Sequence, residues 1–125
     1  MWLVDTSAWI EYLTGSRLGR RIGAELPGRS EWLVPTIVQH ELAKWPTREM
    51  GEAKADQLLA FTKTCVVAER DTAIAISAAE LCVRHGLDTA DAVICATTLA
   101  CGAELLTCDS HFDGLADVAF SIKHL

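Results

Sequence analysis

Residues 87–109, LDTADAVICATTLACGAELLTCD, contain a complete helix–strand unit and two acids that the unit does not need for its own folding. Asp88 or Thr89 is placed to cap a helix whose body, ADAVICATTLA, has almost no polar face. Gly102 ends that helix, and ELLT then reads as a short buried strand. Such a helix is expected to be buried along its length. Asp91 lies inside it among Ala90, Ala92, Val93 and Ile94, and with Asp88 already available as the cap, capping does not account for it. A carboxylate in apolar surroundings is costly without a partner. Asp109 sits just past the strand, before Ser110, where an ordinary turn residue would also fit.

The same alternation runs upstream. WLV at 2–4 reads as a strand, and Thr6 or Ser7 can cap a helix carrying Ile10, Leu13, Arg17 and Leu18 at helical spacing, with Gly15 as a weak point. Pro27-Gly28 breaks the chain before a second WLV at 32–34. Thr36 and Gln39 have capping-box spacing, and Pro46 is expected to stop or kink the helix they open. A helix from about 47 to 61, a strand at 65–67, an Ala-rich helix from Asp71 to His85-Gly86 and a last strand in VAFSI (118–122) complete the series. The strands are continuous apolar runs that alternate with helices, the pattern of a parallel sheet covered on both faces. The expected architecture is therefore α/β, in a single domain over residues 1–125.

In such sheets ligands bind at the carboxyl ends of the strands. Asp5 and Asp109 fall there directly, and Glu41 and Asp91 fall in early turns of helices that begin at the same edge. Carboxylates gathered at one edge repel one another unless a cation sits among them, so Asp5, Glu41, Asp91 and Asp109 read as a divalent-metal site. Asp5 can instead cap the first helix, but Thr6 and Ser7 can also do so; Ser7 is then the cap and orients Asp5 or a water. Glu41 shares a helical stripe with Ile37 and Trp45, with Lys44 as an alternative partner to a metal. Thr107 could hydrogen-bond a metal-bound water or a phosphate oxygen, and Asp113 is either a fifth carboxylate or a turn residue before Gly114. His111 is a proton shuttle, a phosphate contact or a structural residue. Arg17, Arg20 and Arg21 could contact phosphate or an acidic partner segment. The tryptophans, Trp9 and Trp45 especially, read as packing residues, because no basic residues interleave with them to make a base-stacking platform.

Composition narrows the class. With 50% hydrophobic and 22% charged residues the chain is globular and not disordered. A net charge of −6 argues against a sequence-independent nucleic-acid coat but not against a nuclease, whose catalytic acids add negative charge. Five cysteines without a CxxC pair argue for reduced thiols over structural zinc. The start has no basic n-region and no apolar run spans a bilayer, so a soluble cytoplasmic protein with no membrane partner is expected. A haloacid-dehalogenase-like phosphatase would need an Asp where Ser7 stands. A phosphorylation receiver would need one ending the strand in CVVAER, and no glycine-rich nucleotide loop is present.

The stretches VDTSAWIEYL (4–13), PTIVQHEL (35–42), LDTADAVICATTLACGAELLTCDSHF (87–112) and VAF (118–120), in this order, resemble the PIN-domain ribonucleases of the VapC toxin type. These are the effector half of a bacterial or archaeal toxin–antitoxin pair. The resemblance implies a three-layer α/β/α sandwich with a parallel five-stranded sheet in the order 3-2-1-4-5. It also implies a Mg²⁺- or Mn²⁺-dependent endoribonuclease whose metal is held by Asp5, Glu41, Asp91 and Asp109, with Ser7 and Thr107 as polar neighbours. It further implies a homodimer or higher assembly, neutralised by a cognate VapB-like antitoxin that inserts a segment into the groove. Many relatives carry an acid where this chain has His111, a departure that bears on a second, weaker metal site. The alternative function is a catalytically silent PIN-fold protein-interaction module.

Overall fold

Leu3 and Val4, in the strand β1 (Trp2–Val4), are fully buried, and this strand is the centre of the molecule. The computed structural model describes residues 1–25, 28–115 and 122–124. β1 is flanked on one side by β2 (Trp32–Pro35) and then β3 (Val66–Ala68), and on the other by β4 (Glu104–Thr107) and β5 (Ile122–His124). All four pairings are parallel and the order is β3-β2-β1-β4-β5, as the resemblance implied. Leu3 pairs with Leu33 and with Leu105, and these three with Val4, Val34 and Leu106 are essentially solvent-free. Strands buried on both faces require helical layers above and below, and the α/β/α sandwich supplies them.

The chain winds outward from β1 to β3, then returns to start β4 on the opposite side of β1. The sheet therefore has a topological switch point between β1 and β4, where open α/β sheets leave a crevice beyond the strand ends. Asp5 directly follows β1 there, its N–H donating to the Leu106 carbonyl at 3.1 Å, and Thr107 is the last residue of β4.

Among the described residues, six helices cover the sheet: α1 (Thr6–Thr14), α2 (Arg17–Glu25), α3 (Thr36–Met50), α4 (Glu52–Thr62), α5 (Thr72–His85) and α6 (Thr89–Ala100). Asp71 and Asp88 cap α5 and α6 as expected, accepting from Ile74 N and Asp91 N, and Gly86 ends α5 at φ 67. Ala92 to Thr98 in α6 are all buried; Thr97 and Thr98 fit because their hydroxyls donate to the carbonyls of Val93 and Ile94 at 2.7 and 2.8 Å. Around α1, Trp9, Tyr12, Trp32 and Phe61 pack mostly edge-to-face with centroids 5.1–6.1 Å apart.

Three local expectations are corrected. The first helix does not run past Gly15: φ 67 turns the chain there, and α2 folds back so that a Cβ on Gly19 would stand 1.9 Å from the Glu11 carbonyl oxygen. Thr36 forms no capping box, because Pro35 is the N-cap residue and the Gln39 amide reaches across to the Thr62 hydroxyl at 3.1 Å. The helix runs on through position 46 and breaks at Gly51, whose φ of 91 only glycine adopts freely. Proline removes one backbone donor, whereas a positive φ ends the helical path altogether. Pro27 and residues 118–121 of the last expected strand lie outside the described residues, and β5 is described from Ile122. All five cysteines are free, and no described helix is long and apolar enough to cross a membrane.

Candidate metal centre

Asp5 leaves β1 with its side chain turned back under the start of α1. Its Oδ1 accepts from the Ala8 N–H at 3.0 Å and from the Ser7 hydroxyl at 2.7 Å, while Oδ2 accepts from the Thr107 hydroxyl at 2.6 Å. Asp5 itself is thus the N-cap of α1, a correction to the expectation that Ser7 caps it; Ser7 donates to Asp5 and accepts from the Cys108 N–H at 3.1 Å. The carboxylate is 3% exposed. Burial pushes its pKa up, and Asp109 nearby adds to that, against the hydrogen bonds from Thr107, Ala8 and Ser7 that stabilise the charge.

Thr107 is fully buried below the floor of the site. Its hydroxyl donates to Asp5 and accepts from the Asp109 N–H at 2.9 Å, so it holds two acids in register and is not turned toward a water or phosphate. Glu41, in the second turn of α3, accepts from the Thr6 hydroxyl at 2.6 Å and makes no ion pair with Lys44. By sequence alone Thr6 is only a capping candidate. The contact joins residues 35 apart and leaves no local signature.

Asp91 and Asp109 meet over His111. The imidazole Nδ1 lies 3.1 Å from Asp91 Oδ2 and 3.2 Å from Asp109 Oδ2, and the ring is largely exposed. Asp109 also caps the short 3-10 turn Ser110–Phe112 through the His111 N–H, so its turn role and its place in the cluster coexist. Burial raises the Asp91 pKa to about 6, with Asp88 and Asp109 adding to the rise and His111 opposing it. Asp88 was read only as a cap, yet it faces the same cleft.

Asp5, Ser7, Glu41, Asp91, Asp109 and His111 line one cleft of about 130 Å³ at the switch point. Asp113 does not line it; its N–H closes the 3-10 turn onto the Ser110 carbonyl, and the side chain is exposed. Arg17, Arg20 and Arg21 lie outside the cleft as well, and Arg21 pairs with Glu25 at 2.9 Å. Among the described residues, no group of three or more His, Cys, Asp or Glu side chains forms a ready-made metal cage. The donors are hard oxygens spaced around an open pocket, an arrangement suited to a cation that keeps several of its waters.

A family model described as the PIN domain matches residues 2–118. Several solved structures share the fold. One is a toxin–antitoxin complex from Klebsiella pneumoniae, at 21% identity and TM-score 0.78, with 93% of each chain covered. Another is VapC20 of Mycobacterium tuberculosis, described as a sarcin-ricin loop cleaving toxin, at 21% identity and TM-score 0.79, with 93% of this chain and 95% of that one covered. A third is FitAcB from Neisseria gonorrhoeae, at 19% identity and TM-score 0.73, with 98% and 96% covered. No curated protein sequence is significantly similar to the chain. The family match over nearly the whole sequence, joined to the 3-2-1-4-5 parallel sheet, places this chain in the PIN-domain family.

Proposed function

We propose that this chain is a Mg²⁺- or Mn²⁺-dependent endoribonuclease and the toxin half of a VapBC-type pair. One observation carries the reading: four carboxylates from separate segments line one small cleft at the switch point, and burial raises the pKa of two of them, Asp5 and Asp91. A buried Asp5 and an Asp91 titrating near 6 are unfavourable in isolation and become favourable around a divalent ion. Asp5, Asp91 and Asp109 hold the ion with Glu41 close by, and hard carboxylate oxygens suit Mg²⁺ or Mn²⁺. The bound ion supplies charge neutralisation at a scissile phosphate and a more acidic water. The chain's own residues do the orienting: Thr107 and Ser7 fix both oxygens of Asp5, and Thr6 fixes Glu41. The toxin–antitoxin complex among its structural relatives supports an antitoxin as partner; that partner is a cognate VapB-like antitoxin, and the toxin itself acts as a homodimer or within a higher assembly.

The test is cleavage of a structured RNA pool with Mg²⁺ or Mn²⁺, with EDTA, and by Asp5→Asn and Asp91→Asn. Cleavage that needs metal and is lost in both variants is expected. Metal-independent products, or unchanged cleavage by the variants, contradict the reading. His111, within 3.2 Å of both Asp91 and Asp109, gives these acids a partner from the protein itself and favours a second reading as a catalytically silent interaction module. That reading expects antitoxin binding in calorimetry with no Mn²⁺ binding at the carboxylates.

A further inference from the structure

Beside the carboxylate cleft lies a larger groove of about 470 Å³ for which the metal reading has no use. It shares Thr6, Glu41 and Ala90 with the cleft, so the two depressions adjoin. Its own walls are Ile10 from α1 and Ile37, His40, Lys44 and Trp45 from α3. Ile37, Glu41 and Trp45 recur every four residues and stack along one row of the helix, with His40 and Lys44 in the row beside them. A neighbouring depression of about 420 Å³ shares Ile37 and His40 and adds Thr36, Glu69 and Arg70. Along α3, Lys44 and Trp45 therefore stand on the C-terminal side of Glu41, and Glu69 and Arg70 stand beside the first turn.

Two features make this more than an apolar hollow. Trp45 stands apart from the aromatic cluster and makes no ring contact among the described residues. Lys44 is exposed and has no ion-pair partner among the described residues, even though Glu41 is only one turn away. No run of basic residues interleaves with the tryptophans along the chain, but His40 and Lys44 share this groove with Trp45.

We propose that this groove seats one unpaired RNA base flanking the scissile phosphate, with Trp45 as its stacking face and Lys44 contacting the adjacent backbone phosphate. The groove volume is within the roughly 300–1,000 Å³ of small-molecule sites. Aromatic faces beside cations are how proteins take splayed, single-stranded bases, and a base held in a duplex cannot enter. A basic peptide would meet Lys44 and His40, whereas a nucleotide offers a flat ring to the indole and a phosphate to Lys44. The position of the scissile phosphate rests on the nuclease reading, and the substrate becomes single-stranded or looped RNA.

The experiment uses the full chain and reads binding and cleavage separately. Anisotropy of a short labelled RNA, single-stranded or annealed to its complement, is measured in Ca²⁺ for wild type, Trp45→Ala, Trp45→Phe and Lys44→Gln, each checked by thermal melting. The single strand is expected to bind roughly tenfold tighter than the duplex, and Trp45→Ala to weaken it roughly tenfold, with Trp45→Phe restoring much of the loss. Lys44→Gln weakens binding a few-fold and lowers the salt slope by about one ion. In cleavage assays the Trp45→Ala effect falls on KM more than on kcat. Equal affinity for both RNAs, no RNA binding, or affinities untouched by Trp45→Ala and Lys44→Gln overturn the proposal; the last is the result expected if the groove serves a protein partner. Trp45-dependent binding without metal-dependent cleavage removes the nuclease reading and leaves the base seat standing. Cleavage with an unaffected KM does the reverse.

Discussion

On the β1 side of the cleft, Asp5 is buried and held by three donors, from Thr107, Ser7 and the Ala8 N–H. On the α6 side, Asp91 and Asp109 are partly open and share only an exposed histidine between their outer oxygens. The first acid is part of the fold's own hydrogen bonding, capping α1 and joining β1 to β4. Burial raises the pKa of both Asp5 and Asp91, the latter to about 6, but only Asp5 offsets that cost with hydrogen bonds that tie β1, α1 and β4 together. A metal site on this plan has one fixed post and one adjustable side, and substitutions on the two sides should move stability in opposite directions.

The largest effect is expected at the fixed post. Asp5→Ala removes a helix cap and strands the Thr107 hydroxyl and Ala8 N–H, a loss of about 2–4 kcal/mol in urea unfolding. Thr107→Val keeps the shape but removes the donor to Asp5 and the acceptor for Asp109 N–H, and should cost about 1–2 kcal/mol. A neutral Thr107→Val in the same titration would break the comparison, since the fixed side would then not depend on its hydrogen bonds.

On the α6 side the sign reverses. A carboxyl raised from 3.8 to about 6 contributes stability that is fully present below pH 4 and is lost as pH rises through 6, because the folded state resists the charge that the unfolded chain accepts. Metal-free Asp91→Asn should therefore be more stable than wild type by about 1–3 kcal/mol at pH 7, the upper figure being the full shift, and close to it near pH 4. Thermal melts across that range check this, and a destabilised Asp91→Asn at pH 7 contradicts it. The smallest effect is at His111. His111 holds the Asp91 pKa down, so His111→Ala should raise the Asp91 midpoint above its wild-type value in a carboxyl-carbon NMR titration.

The sequence made one level of this legible and hid another. Apolar runs alternating with helices pointed to a parallel sheet, and local chemistry placed the caps at Asp71 and Asp88 and the stop at Gly86, because a cap acts within a few residues of itself. The strand order came from the resemblance and not from periodicity. The contacts that build the site are long-range: Thr107 to Asp5 spans 102 residues and Thr6 to Glu41 spans 35, and nothing near either partner announces them. Gly15 reads along the sequence only as a weak point in one helix, and nothing local singles out Gly19, for the same reason. One turns the chain and the other admits the Glu11 carbonyl, and only the second helix folding back makes both necessary. Thr107 was assigned to the open site because a hydroxyl after a strand says nothing of which side it faces.

Direct Mn²⁺ titration of the metal-free protein by calorimetry at pH 7.5, for wild type and Asp91→Asn, tests the metal centre most directly. Saturable binding by the wild type, weakening as pH falls through about 6 and lost in a folded Asp91→Asn, is the predicted result. A wild type that takes up no Mn²⁺, or an Asp91→Asn protein that binds it equally well, contradicts the account.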